Sequence, residues 1–229
     1  MARIIVNIRS NALGDTIAAM PYIDKYRQVT GDHIMVSLNP ALHFLFKDSY
    51  PELELIERSY LGEFDRDLSL HYIFSSAVQA GYAEQLGFND PVYIRPKLII
   101  PEMERPIKGK YVAIGVHSTA QLKYWNHPAG RAVQPEAPNL TELCSMIRKA
   151  GYTPVVIDKY QGFGTAPFFN GLPKKANLKI DLPLLEAANL VKHSEFYIGP
   201  SSGMAWVAHA LGKRVAMIAN FTEDWNEFD

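Results

Sequence analysis

The sequence predicts an α/β fold made of two Rossmann-like parallel-sheet domains facing a cleft. Three observations carry this. Short β-branched runs alternate with segments of helical apolar spacing, and strands alternating with helices imply parallel sheets with right-handed crossovers. The series starts twice, at "RIIVNI" (3–8) and again at "YVAIGV" (111–116). Between the two series, "RPKLIIPEMERPIKGK" (95–110) holds three prolines and alternating charges and reads as an interdomain linker. The expected domains are 1–104 and 105–229. With 48% hydrophobic and 21% charged residues, the 229-residue chain has enough apolar side chains for one or two packed cores.

Taken in order, "RIIVNI" is a buried strand, and Ile17, Met20 and Ile23 then recur at helical spacing from Asp15 onward. Pro21 is expected to kink or restart that helix. "HIMVSL" (33–38) reads as a second strand, and Asn39 and Pro40 open a short helix in "NPALHFLFKDSY". "ELELIE" (52–57) alternates like a third strand with a solvated glutamate face. Between 60 and 95 only "SSAVQAGYAEQLGF" (75–88) is legible, as a helix stopping near Gly87.

In the second series, "NLTELCSMIRKAG" (139–151) places Leu140, Leu143, Ile147 and Ala150 on one helix face. Asn139 is its N-cap, with Glu142 behind it, and Gly151 its stop. "TPVVID" (153–158) is a strand, "PLLEAANLVKHS" a helix, "EFYIG" a strand, "SGMAWVAHALG" a helix and "RVAMIAN" a strand.

Composition narrows the function. A net charge of −1 gives no strong pull toward nucleic acid or an anionic membrane. The single cysteine, Cys144, excludes an intrachain disulfide framework and a cysteine-based zinc site, and makes a reducing compartment the default. The start, "MARIIVNIRS", lacks a signal-peptide core, and no apolar run approaches the ~20 residues of a membrane span. A cytoplasmic protein is the expectation.

Ligands of open α/β sheets gather outside the carboxyl ends of the strands. Three stretches fall there. In "SNALGD" an acid, Asp15, stands at a glycine turn before a helix. It reads either as a helix-start residue, ionised by the dipole, or as a general base within reach of a hydroxyl. "GVHSTAQLKYWNHP" (115–128) is a long polar loop, in which Lys123 and the hydroxyls of Ser118 and Thr119 can hold phosphate oxygens. Alternatively Lys123 is simply solvated. In "IGPSSGMAW" (198–206), Ser201, Ser202 and Gly203 open a helix after a strand, which is either an anion site or an ordinary serine cap. It is neither GxGxxG nor a Walker A loop, so neither NAD nor ATP hydrolysis is indicated. His33, His43, His71, His193 and His209 show no ligand spacing.

Together, "ALGDTIAAMP", "GVHSTAQLKYW" and "YIGPSSGMAWVAHALGKRVAMI" resemble glycosyltransferase family 9, the bacterial heptosyltransferases with the two-domain GT-B fold. Within it the chain is most similar to the autotransporter O-heptosyltransferases, through "HSTA..KYWN", "SSG" followed by Trp206, and the final "NEFD". The likeness runs best over 3–23 and 111–229.

The resemblance implies an inverting transfer of a sugar, heptose by analogy, from a nucleotide-diphosphate sugar such as ADP-heptose to an acceptor hydroxyl on a protein or glycan. Asp15 matches the catalytic base and Lys123 the residue that stabilises the leaving diphosphate. Gly14, His117, Ser118, Thr119, Ser201, Ser202, Gly203 and Trp206 match substrate-binding positions. Residues 1–104 would be the acceptor side and 105–229 the donor domain. No cofactor and no metal are implied by the residues present, since the donor is a substrate, and an oligomer is compatible.

The chain departs from the family in three ways. Ser201 replaces an acid and Trp206 a histidine of the lipopolysaccharide enzymes. Family members also continue past "NEFD", where the autotransporter enzymes carry an iron-binding cysteine cluster. The resemblance therefore implies a chain truncated at the C-terminus, or a minimal version with weakened catalysis. A non-catalytic nucleotide-sugar-binding module is one alternative. A sugar-nucleotide epimerase is another, and for it Asp158 is the obvious second acid at a strand end, unless it contacts a ribose or caps a loop.

Overall fold

β1 (Arg3–Ile8) is the hub of the first sheet, pairing in parallel with β2 (His33–Ser37) on one side and with β4 (Arg66–Leu70) on the other. β3 (Glu54–Ile56) extends the β2 side, giving the order β3-β2-β1-β4. The structure is a computed structural model that describes residues 1–73, 77–89, 93–118, 123–124, 140–158 and 176–218. The chain divides into two units, Met1–Pro101 and Glu102–Asp229.

In the first unit, Ile4, Val6 and Ile8 of β1 and Ile34, Met35 and Val36 of β2 are buried, as the near-continuous apolar runs of parallel strands require. α1 (Leu13–Thr30) buries Ile17, Met20, Tyr22 and Ile23. It runs through Pro21 as a single helix and does not restart there. Proline removes one backbone hydrogen bond, but Pro21 lies among buried neighbours on both sides, and tertiary packing holds the helix together. After β2, one 3₁₀ turn at Pro40–Leu42 leads into α2 (His43–Phe46), and the Asn39 side chain accepts the Ala41 N–H at 3.0 Å. α3 (Val78–Gln85) packs on α1, with the Gln79 amide donating to the Ala18 carbonyl at 3.2 Å.

The second unit is a five-stranded parallel sheet in the order β11-β10-β5-β8-β9. Its strands are β5 (Tyr111–Ile114), β8 (Thr153–Asp158), β9 (Asn177–Ile180), β10 (Tyr197–Gly199) and β11 (Val215–Met217). Between β5 and β8 lie the two-residue strands β6 (His117–Ser118) and β7 (Lys123–Tyr124), paired antiparallel.

Residues of β5 alternate between two cores, as the period of a strand requires. Val112 and Ile114 pack with Leu140, Leu143, Cys144 and Ile147 of α4 (Leu140–Lys149). Tyr111 and Ala113 pack with α5 (Leu184–His193) and α6 (Gly203–Ala210) through Ala187, Leu190, Val191, Ala205 and Ala208. Helices thus cover both faces of this sheet. Burying each leucine or isoleucine of α4 contributes about 1.5–3 kcal/mol.

Several expectations change. Ala150 is exposed, and Cys144 takes its place on the buried stripe of α4. Gly151 does stop that helix, with φ 86° in the left-handed region. Asn139, its expected cap, lies outside the described residues.

The boundary between the two units falls within 95–110, and the chain on each side of it is packed on its own unit. Leu98 and Ile100 are buried in the first unit. Beyond residue 101 the chain is tied to α5 of the second unit: Lys192 pairs with Glu102 at 2.8 Å, and the Asn189 amide donates to the Glu104 carbonyl at 3.0 Å. β4 and β9 stand where no strand was expected, both at sheet edges with exposed residues.

Candidate functional site

Two strand-to-helix turns and one hairpin carry the residues singled out from the sequence. The first turn follows β1. Its helix starts after Ala12, which offers no side-chain cap, so Asp15 is the third residue of α1 rather than its cap. The Ser10 hydroxyl donates to the Asp15 carboxylate and itself accepts the Ala12 N–H at 3.1 Å. Arg58 braces the same turn from outside, donating to the carbonyls of Ile8 at 3.0 Å and Ser10 at 3.1 Å. Gly14 is buried beside Asp15.

Burial pushes the Asp15 carboxyl above its ordinary value of 3.8, and the Ser10 hydrogen bond opposes this. The helix-start position favours the ionised form and withdrawal from water acts against it. Tyr82 of α3 is fully buried, and its phenol is pushed up first by burial and next by the Asp15 charge.

The second turn follows β10. Ser202 is the N-cap of α6, in extended conformation, and its hydroxyl accepts the Ala205 N–H at 3.3 Å. Its carbonyl accepts the Trp206 N–H at 3.1 Å. These bonds serve the later N–H groups of the first turn. Those of Gly203 and Met204, the first two of the helix, have no carbonyl within the helix to reach, and a helix end of this kind suits an anion. Ser201 is buried, while Ser202 and Gly203 are part-exposed. Trp206, matched to a substrate-binding position, is only 4% exposed and meets His209 edge-on at 6.3 Å. It backs the turn by packing.

The third piece follows β5. The stretch expected to be a loop contains the β6–β7 hairpin, which sets Ser118 opposite Lys123 and His117 opposite Tyr124. Thr119 lies outside the described residues. β5 and β10 are parallel neighbours, with the Gly115 N–H donating to the Ile198 carbonyl at 2.9 Å. The hairpin of Ser118 and Lys123 and the turn of Ser201, Ser202 and Gly203 therefore leave the same edge of one sheet, side by side. Asp158 ends β8 at that edge, and its carboxylate accepts the Val116 N–H at 3.2 Å, which fastens the chain leaving β5. A loop-fastening role of this kind is what its position allowed.

Sequence reasoning missed two participants. Ser10 could have been found from its spacing of five residues to Asp15 across a turn, whereas Arg58 comes from a distant segment with no local signal.

No protein-family model matches the chain. The autotransporter heptosyltransferase Aah of Escherichia coli is 27% identical over 98% of this chain and 59% of its own length. The inactive autotransporter heptosyltransferase BimC of Burkholderia thailandensis is 26% identical over 99% of this chain and 55% of its own. The chain is heptosyltransferase-like. Among solved structures, the dodecameric iron-containing heptosyltransferase TibC of enterotoxigenic E. coli, in complex with ADP-D-β-D-heptose, superposes with a TM-score of 0.83. It is 23% identical, over 99% of this chain and 60% of that one. The fold of this heptosyltransferase-like chain is thus of the GT-B type. The chain spans under two thirds of the length of these relatives.

The iron named for TibC has no counterpart among the described residues: no cluster of three His, Cys, Asp or Glu side chains could hold a metal ion, and Cys144 is enclosed in the α4 core. No described helix is long and apolar enough to cross a membrane.

Proposed function

We propose that the chain is an inverting glycosyltransferase that moves a sugar, heptose in the first instance, from an ADP-linked donor to an acceptor hydroxyl. One observation carries the reading. A hairpin bearing Ser118 and Lys123 and a serine-capped helix end leave neighbouring strands at one sheet edge. A lysine, serines and helix N–H groups carried by neighbouring strand ends suit a leaving diphosphate without a metal.

In this reading residues 102–229 hold the donor and residues 1–101 the acceptor. Asp15 takes the proton of the acceptor hydroxyl as that oxygen attacks the anomeric carbon from the face opposite the diphosphate, so the configuration inverts. A carboxyl raised by burial is a stronger base than an ordinary aspartate, and Ser10 orients it. Lys123, with the N–H groups at Gly203 and Met204, offsets the negative charge that grows on the diphosphate as the glycosidic bond breaks. The acceptor is a protein hydroxyl, by analogy with relatives named for autotransporters.

Calorimetric titration with ADP, UDP, GDP and ADP-heptose tests the donor. ADP and ADP-heptose should bind selectively, and Lys123→Ala should weaken both. Binding to none of the four would overturn the donor site. A second reading, a module that binds nucleotide sugar without turnover, is favoured by one relative of similar identity being named as inactive. In that case ADP-heptose binds but releases no ADP in the presence of acceptor.

A further inference from the structure

The turn that carries Asp15 is held by a residue from a distant part of the chain. The ladder between β1 and β2 ends at Asn7 and Ser37. Beyond that end Arg58, two residues past β3, donates from Nη2 to the Ile8 carbonyl at 3.0 Å and to the Ser10 carbonyl at 3.1 Å. A terminal guanidinium nitrogen carries two N–H groups, so each carbonyl can take one. The chain leaving β1 is thus pinned at two points, two residues apart.

Ser10, the second of these, is also the residue that meets the acid. Its hydroxyl accepts the Ala12 N–H at 3.1 Å and donates its one proton to Oδ2 of Asp15. Among the described residues none donates to the other oxygen, Oδ1, and Asp15 is part-exposed. The two carboxylate oxygens therefore differ: one is held, and the other is open to a new proton donor.

We propose that Arg58 is a positioning residue for the base: by fixing the Ser10 backbone it keeps Oδ2 of Asp15 tied to the Ser10 hydroxyl and presents Oδ1 to the acceptor hydroxyl. The acceptor proton passes to Oδ1 while the acceptor oxygen bonds the anomeric carbon, and the diphosphate leaves with the electrons of its glycosidic bond. Arg58 makes no ion pair with Asp15 and acts through Ser10. The inference rests on the reading of Asp15 as the base. Arg9 offers a control in the same turn. It is exposed and carries the same charge, but its guanidinium donates to the Ser69 hydroxyl at 2.8 and 3.1 Å. Tyr82 of α3 is the titratable side chain that feels the Asp15 charge, and burial raises its phenol, so it stays neutral through the rate profile.

The test is the pH dependence of ADP release from ADP-heptose, with an autotransporter acceptor protein. Wild type is compared with Arg58→Ala, Ser10→Ala, their double variant and Arg9→Ala, with ADP titration and thermal melting alongside. Arg58→Ala should lower kcat about ten- to a hundredfold, the scale of a small misplacement of a reacting group, with the acceptor KM and ADP affinity unchanged. Its acid limb should move to higher pH, as in Ser10→Ala, because the hydrogen bond that lowers the Asp15 carboxyl is loosened. The double variant should be no slower than Ser10→Ala alone. Arg9→Ala should leave the limb in place. A merely structural Arg58 would lower the melting temperature and leave kcat and the limb unchanged, and an Arg58 that binds the acceptor would raise KM alone. Either result, losses that multiply in the double variant, or an equal shift in Arg9→Ala overturns the inference while Asp15 stands as the base. No ADP release by the wild type overturns the transferase reading, and the inference with it.

Discussion

The turn after β1 and the turn after β10 are the same structural event, a parallel strand handing over to a helix, built with opposite chemistry. The first has alanine at the cap position and puts its acid three residues further in, where burial raises the carboxyl and a serine holds it. The second has a serine cap, no acid in its first helical turn, and N–H groups left at the helix end. A helix start does not dictate function: in the proposed reading the first turn takes a proton and the second receives negative charge.

The largest expected effect comes from removing the base. Asp15→Asn should lower transfer by about 10²–10⁴-fold, the usual worth of a positioned general base, with ADP affinity unchanged. A rate assay and a titration on the same preparation check this together. The same variant carries a stability prediction of opposite sign. A carboxyl whose folded pKa is raised favours folding while protonated, below its unfolded value, and loses that advantage as pH rises through the folded value. At neutral pH, Asp15→Asn should therefore unfold at or above the wild-type temperature, measured by thermal melting. A lower temperature would mean that Asp15 is a structural acid.

Lys123→Ala comes next. Losing a charge-assisted contact to the diphosphate should weaken ADP by about ten- to a hundredfold while leaving the Asp15 turn untouched. Equal ADP affinity in the variant would remove Lys123 from the site.

A smaller effect separates the two caps. Ser202→Ala should destabilise the fold by about 1 kcal/mol through the lost cap, whereas Ala12→Gly should be neutral or slightly stabilising, since Ala12 makes no cap bond and glycine is the better residue at that position. Denaturant midpoints compare them.

The smallest is a shift in pH dependence. Ser10 lowers the Asp15 pKa, so Ser10→Ala should move the acid limb of the rate profile to higher pH. An unchanged limb would show that another group titrates there.

Much of this contrast could be read in the sequence, for physical reasons. Buried parallel strands such as "RIIVNI" and "TPVVID" are continuous apolar runs, and their alternation with helices revealed the two sheets. Edge strands were harder. "RDLSL" at β4 exposes Arg66 and Asp67 and buries only Leu70 deeply, so its pattern matches a polar loop. Pro21 misled because local propensity argued for a break, while the buried residues around it keep one helix.

Asp15, Ser118, Lys123 and the Ser202 turn stood out as candidates because each comes after a strand of a parallel sheet. Ser10 left only its spacing to Asp15 as a signal and Arg58 left none, since bracing depends on contacts made only once the chain has folded. The upward push on the Asp15 carboxyl was not legible for the same reason: dipole position is local, but burial is a property of the whole unit.

The central claim is tested most directly by following ADP release from ADP-heptose in the presence of an autotransporter acceptor protein, for wild type and Asp15→Asn side by side. The account predicts release coupled to modification of the acceptor by the wild type, at least about a hundredfold slower release by the variant, and equal ADP affinity in both. No release by the wild type, or equal release by both, would contradict it.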